Sequence, residues 1–278
     1  MLLSLVLELK PLNENSLPLT IGNAVHGLFM NLVAEKKPEL AEELHSNNKE
    51  KPFTTSPVFG NFSYAGRRAF LKKDEIYWIR FTSLNRGLTE FLFESSPSFI
   101  GKEITVLDQR FEVIRVCSKP NEHEWAAQSS YEEIYNRWVP VTEPVPRKVA
   151  MAFMTPTTFR RGIKNTPLPV PRLFFSHLAA KWNQFSSIHL GSTIADVIDE
   201  RVSVSGLNLK TKMLQLGAHR EIGFIGHCEF IIPVVTGDVW DRIFHALCDF
   251  AFYSGVGAKT TMGMGQVTKL NGQKANYL

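Results

Sequence analysis

The feature that most limits what this chain can fold into lies near its end. Residues 255–267, Gly-Val-Gly-Ala-Lys-Thr-Thr-Met-Gly-Met-Gly-Gln-Val, sit between a helix-forming segment and a short strand-like stretch. Glycine accepts positive φ and lets a backbone approach another group closely. Gly255, Gly257, Gly263 and Gly265 around the single Lys259 therefore read in one of two ways: a plain glycine hairpin, or main-chain amides turned toward a phosphate-bearing ligand. The second Gly-x-Gly pair and the enclosed lysine favour phosphate. Two familiar nucleotide loops are excluded by order. A Walker loop places its lysine after the last glycine and before a helix, whereas Lys259 precedes Gly263 and a strand follows. A dinucleotide fingerprint follows a strand and opens a helix, and here a helix comes first.

The 278 residues, 44% of them hydrophobic, can bury a sizeable core, and the chain reads as two domains, 1–143 and 144–278. No run of about 18 apolar residues is present to span a bilayer, and the opening Met-Leu-Leu-Ser-Leu-Val lacks a basic signal-peptide start, so no membrane partner is expected. Cys117, Cys228 and Cys248 are distant and odd in number, which argues against disulfides and a zinc site and for a reducing, cytoplasmic setting. The net charge of +4 is unevenly spread: from Pro144 onward there are 15 Lys/Arg against 8 Asp/Glu, before it 16 against 19. Arg147, Lys148, Arg160, Arg161, Lys164, Arg172 and Lys181 fall in a stretch without a single acid. One-signed runs of this kind point to a polyanion partner.

In chain order, residues 2–9 suit a buried strand, and a helix capped by Thr20 or Asn23 should follow, with Val25, Leu28, Phe29 and Leu32 on its core face and His26 and Met30 on the flank. A second short helix opens at Pro38 and ends at His45. Strands are expected over 53–62, 75–84 and 103–117, with a helix over 86–94. Residues 122–141, followed by Pro144 and Pro146, read as a linker. Beyond it come a strand over 147–154, a helix over 172–185, strands over 202–216 and 222–235, a helix over 238–252, the glycine loop and a last strand. The order strand, helix, strand, strand, helix, strand occurs twice, so the fold class is α+β with tandem ferredoxin-like domains and a C-terminal glycine-rich loop.

The pattern G-x-G-x-K-x-x-x-G-x-G-x-V, carried by Gly255, Gly257, Lys259, Gly263, Gly265 and Val267, resembles the C-terminal signature of the CRISPR repeat-processing endoribonucleases of the RAMP superfamily. Leu44-His45, then Lys51 and Phe53-Thr54-Thr55-Ser56, resembles the N-terminal pattern of the same family. The resemblance implies tandem ferredoxin-like domains and RNA contact by the glycine loop. It also implies His45 as general acid/base and Lys51 as the group that stabilises a phosphorane-like transition state. A third family position, held by tyrosine or arginine, falls near Met30, which cannot do that work; His26, one turn earlier on the same flank, is the substitute. Each residue has a plainer reading: His45 an exposed helix-end histidine, His26 a histidine packed beside an apolar stripe, Lys51 a solvated loop lysine. Arg160 and Arg161, in a segment resembling the end of the second domain's first strand, and Lys210 and Lys212, alternating along a strand, are candidate phosphate contacts. The six remaining histidines show no metal-ligand spacing, and neither metal nor cofactor is expected. The implied partners are CRISPR repeat RNA and other subunits of an effector complex, with the protein a monomer or homodimer. The rival function is a non-catalytic RAMP subunit that binds guide RNA and needs no histidine.

Overall fold

A computed structural model describes residues 1–19, 21–46, 50–216 and 219–270. The chain divides into two compact units. Among the described residues, those within Met1–Gln128 form the first, together with Gln215, Leu216, His219 and Thr261–Gly263; those within Ser129–Leu214, Arg220–Thr260 and 264–270 form the second.

The first unit is built from β1 (Leu2–Pro11), β2 (Ser16–Pro18), α1 (Gly22–Lys36), α2 (Pro38–Ser46), β3 (Phe53–Thr55), β4 (Ser63–Ala65), β5 (Arg68–Phe70), β6 (Tyr77–Ser83), α3 (Arg86–Ser95), β7 (Glu103–Val106) and β8 (Gln109–Cys117). A strand β9 (Ala127–Ser129) also pairs with β1. The main sheet runs β3-β6-β1-β8-β7. Its antiparallel register sets Leu5 opposite Phe81 and Leu7 opposite Val116. Side chains alternate across a strand, so Leu3, Leu5, Leu7 and Leu9 share one face with Ile79, Phe81, Phe111 and Val113, and α1 and α3 cover that core with Val25, Phe29, Leu32, Leu88 and Leu92. The other face is polar and satisfied: buried Arg80 donates from Nε to Ser4 Oγ at 2.6 Å and lies 5.0 Å from the Trp125 ring. Helix α1 has Ile21 at its N-cap without a side-chain bond, and Asn23 falls inside the first turn; Thr20 lies outside the described residues.

The expected linker is ordered over most of its length. Helix α4 (Tyr131–Trp138) opens with a reciprocal Ser130–Glu133 capping box, and Trp138 Nε1 donates to Asp249 at 2.7 Å. Arg242 donates to the carbonyls of Trp138 and Glu143 at 3.1 Å, so residues 129–143 belong to the second unit. That unit continues with β10 (Lys148–Thr157), β11 (Phe159–Arg161), β12 (Lys164–Thr166), α5 (Pro171–Phe185), α6 (Ile194–Arg201), β13 (Ser203–Leu216) up to Leu214, β14 (His219–Ile231) from Arg220, α7 (Val239–Ser254) and β15 (Val267–Lys269). Its sheet runs β13-β14-β10-β15. Phe174 and Phe175 of α5 and Phe244 of α7 pack with Phe153 of β10 and Phe230 of β14 in its buried core.

Both sheets share one order: the first strand of the motif at the centre, the third and fourth on either side, and the second outside the third. Both units are thus ferredoxin-like, with β7 added to the edge of the first.

Candidate active site

Helix α2 starts at Pro38, where a missing N–H is harmless, carries Glu39 in its first turn, and brings exposed His45 into its last turn. Lys51 folds back onto that helix end. Its ammonium donates to the carbonyl of Leu44 at 2.7 Å and to that of His45 at 3.2 Å, satisfying acceptors the helix leaves open. The lysine predicted from the motif therefore also holds the backbone of the histidine predicted beside it.

His26 projects from α1, half-buried, with its ring stacked on Phe53 at 5.8 Å and 18°. Its Nδ1 lies 3.0 Å from the backbone carbonyl of Thr261, which belongs to the same unit. Burial is the main cause that holds its pKa below the usual imidazole value; the positive charges of His45 and Lys51 push the same way, and the bond to Thr261 opposes them. The structure thus brings His26, His45 and Lys51 within electrostatic reach of one another. Met30 packs half-buried against the core of the unit and offers no polar atom.

Each residue of the Phe-Thr-Thr-Ser segment does something specific. Phe53 supports the His26 ring, Thr54 pairs with Thr82 hydroxyl to hydroxyl at 2.8 Å, and Thr55 Oγ1 donates to the Thr261 carbonyl at 2.7 Å. Ser56 Oγ accepts from the amide of Arg80 at 2.8 Å. Thr55 and Thr261 escaped the sequence reading. Thr55 lies inside the Phe-Thr-Thr-Ser motif, but the part of Thr261 that matters is a carbonyl every residue has.

The glycine loop is mostly buried, and its backbone is largely engaged with the protein itself. The amides of Val256, Ala258 and Gly265 donate to the carbonyls of Gly265, Thr158 and Pro156, and that of Gln266 to Thr155 Oγ1. All four motif glycines have positive φ, as does Lys259 at 58°. A Cβ on Gly257 would stand 2.4 Å from the Thr158 carbonyl oxygen, and one on Gly265 2.0 Å from that of Val256. The expected turning of these amides toward a ligand is corrected for the four named. The glycines are required by the chain's own packing, because no side chain fits where two backbones touch. Lys259 pairs with Glu221 at 2.8 Å. Buried Lys181 braces the loop's start, donating to the carbonyl of Ser254 at 2.9 Å and to Thr260 Oγ1 at 3.1 Å.

The acid-free basic run is likewise divided. Arg147 donates to the Pro233 carbonyl, Lys148 pairs with Glu229, and Arg172 pairs with Asp196 and Asp199, acids supplied by later parts of the chain. Arg160, Arg161 and Lys164 instead stand exposed on the β11–β12 hairpin, around a turn whose Ile163 is 96% exposed. Lys210 and Lys212 are exposed on β13. Among the described residues, no group of three or more His, Cys, Asp or Glu could hold a metal ion, and no helix is long and apolar enough to cross a membrane.

Two ferredoxin-like units, with a glycine-rich loop ahead of the last strand, define an α+β protein of tandem ferredoxin-like architecture in which His26, His45 and Lys51 are the candidate site residues. Residues 1–136 match the CRISPR Cas6 N-terminal domain, and residues 151–267 match the CRISPR-associated endoribonuclease Cas6 family. The CRISPR-associated endoribonuclease Cas6 of Mycobacterium tuberculosis is 24% identical over 268 residues, 95% of this chain and 76% of that protein. A product complex of Thermus thermophilus Cas6 is 30% identical, with a TM-score of 0.77 over 97% of this chain and 100% of that one. A RAMP protein described as binding different RNA substrates shares the fold at 14% identity, with a TM-score of 0.63 over 97% of this chain and 100% of that one. The chain belongs to the Cas6 family of CRISPR-associated endoribonucleases.

Proposed function

We propose that this enzyme cuts CRISPR precursor RNA within its repeats, without a metal ion, by attack of a ribose 2′-hydroxyl on the adjacent phosphate. RNA carries its own nucleophile, so the enzyme must supply alignment, a base, an acid and a cation. In this reading His26 Nε2 takes the 2′-hydroxyl proton as the 2′-oxygen bonds to phosphorus. His45 gives a proton to the 5′-oxygen as the phosphorus–oxygen bond breaks, and Lys51 offsets the charge that develops on the phosphoryl oxygens. The products are a 2′,3′-cyclic phosphate and a 5′-hydroxyl. The observation that carries the reading is His26 itself: a half-buried imidazole biased toward its neutral form, with Nδ1 against a carbonyl and His45 and Lys51 acting on it electrostatically. A neutral imidazole with one nitrogen occupied leaves the other as a base.

The division of labour follows the chain. Catalytic residues lie in the first unit, and exposed Arg160, Arg161, Lys210 and Lys212 of the second meet the phosphate backbone. Repeat RNA as the partner is supported by likeness to a Cas6 product complex at 30% identity. Lys259 is paired with Glu221, so any contact it makes with RNA competes with or shares that ion pair.

The test is cleavage of labelled RNAs carrying different CRISPR repeats in the presence of EDTA, with the product ends analysed. His45→Ala should slow single-turnover cleavage by about 100-fold or more while RNA affinity changes little. A near-normal rate in His45→Ala would remove that residue from the mechanism, and abolition of wild-type cleavage by EDTA would overturn metal independence.

A further inference from the structure

We infer that the Thr261 backbone carbonyl is a positioning group for His26: it holds the imidazole in the tautomer whose Nε2 lone pair faces outward, and Gly22 and Gly263 exist to seat it. The inference rests on His26 being the base of the proposed reaction and explains how that base is kept ready.

A carbonyl oxygen can only accept, so the 3.0 Å contact between Thr261 O and His26 Nδ1 places the ring proton on Nδ1. Free neutral imidazole side chains prefer the opposite tautomer, with the proton on Nε2. An unconstrained His26 would present an N–H donor where the reaction needs a lone pair. Protonating both nitrogens is disfavoured here by burial and by the neighbouring charges of His45 and Lys51.

The carbonyl is itself fixed. Thr55 Oγ1 donates to the same oxygen at 2.7 Å, so two donors converge on it from β3 and α1. The loop reaches this place only because two glycines face each other there. A Cβ on Gly22, at the start of α1 and one turn before His26, would stand 1.8 Å from the Met262 carbonyl oxygen. A Cβ on Gly263, at φ 82°, would stand 3.0 Å from Gly22 Cα and 3.2 Å from the Pro57 nitrogen. All of these residues belong to the first unit. A glycine of the C-terminal motif and a glycine outside it thus serve the orientation of one histidine.

The experiment is long-range proton–nitrogen correlation on the uniformly 15N-labelled full chain near neutral pH, with the His26 ring assigned by its disappearance in His26→Ala. The expected result is a protonated Nδ1 and a bare Nε2 in the wild type. Gly22→Ala drives Met262 away and should shift the ring toward the Nε2-protonated or averaged form. It should also slow single-turnover cleavage by roughly tenfold or more, a fraction of what a general base supplies, without weakening RNA binding to match. Thr55→Val adds no bulk and carries the same expectation in milder form, so it decides the matter if Gly22→Ala melts; Thr55→Ser, which keeps the hydroxyl, should restore both tautomer and rate. An Nε2-protonated wild-type ring, or unslowed cleavage in both Gly22→Ala and Thr55→Val, would overturn the inference. A wild-type rate in His26→Ala is a different failure: it removes His26 as the base, whatever tautomer the ring shows.

Discussion

Lys51 shows how little room one side chain leaves for a single label. Its ammonium fills the last carbonyls of α2 and acts on the charge of His26, so the lysine that caps the helix also belongs to the electrostatic group around the candidate base. Its identity was legible in the sequence only through the surrounding motif, because a lysine six residues beyond a histidine is otherwise ordinary. His245 shows the converse, a histidine with a clear physical state and no place in the chemistry. It is fully buried on α7, stacked on Trp138 at 4.5 Å, and donates from Nε2 to the Pro146 carbonyl at 2.8 Å. Burial, helped by Lys269, pushes its pKa down to about 4, against the carbonyl bond, Asp249 and Asp241. The unfolded chain takes up that proton near the ordinary value of about 6.5 while the folded one does not. Stability is therefore complete above that pH and lost as pH falls toward 4. At pH 5 the loss from this group is roughly 2 kcal/mol. Denaturant unfolding at pH 7 and pH 5 should show a smaller pH difference in His245→Phe than in the wild type by about that amount; equal differences would exclude this assignment.

At the scale of elements, the glycine loop decides most. Gly255 caps α7 with φ 58°, Gly257 and Gly265 lie against the carbonyls of Thr158 and Val256, and Gly263 lies against Gly22. Strain at positive φ and overpacking each cost on the order of 1–3 kcal/mol. Gly265→Val and Gly257→Ala should accordingly lower stability by about 3 kcal/mol or more, seen as a clear fall in melting temperature, whereas Lys259→Ala, which breaks a partly exposed pair with Glu221, should lower it by less than about 1 kcal/mol. Unchanged melting in both glycine variants would return the loop to a purely ligand-facing role. The presence of the loop and its flanking helix and strand were legible from composition and order. Its burial was not, because a glycine that faces a phosphate and a glycine that faces a carbonyl are the same letter. The Ser130–Glu133 capping box was legible too, as Ser-x-x-Glu ahead of Ile134, but the prolines after it drew the reading toward a linker.

Over the whole molecule, exposed positive charge is concentrated where the chain leaves its basic residues without acids. Of the seven basic residues in the acid-free stretch, Arg160, Arg161 and Lys164 share one exposed hairpin. Replacing Arg160 and Arg161 together by alanine should weaken repeat-RNA binding and reduce the slope of log affinity against log salt by roughly 1.5, the release expected for two phosphate contacts; an unchanged slope would send the binding surface elsewhere. Both ferredoxin-like halves and the glycine loop ahead of the last strand are legible in the residues alone, while His45 and Lys51, with His26 beside Met30, stand out through the resemblance of their motifs to a known family. Hydrophobic periodicity and turn residues act within a few positions, so they can be read locally. Long-range packing settles which basic residues find acids from distant segments, that residues 129–143 join the second unit, and that His26 meets Thr261 across 235 positions of sequence. The reason is physical: each of those outcomes depends on where a backbone passes, and a carbonyl group's position is fixed by the packing of the entire chain, while its chemical identity is the same at every residue.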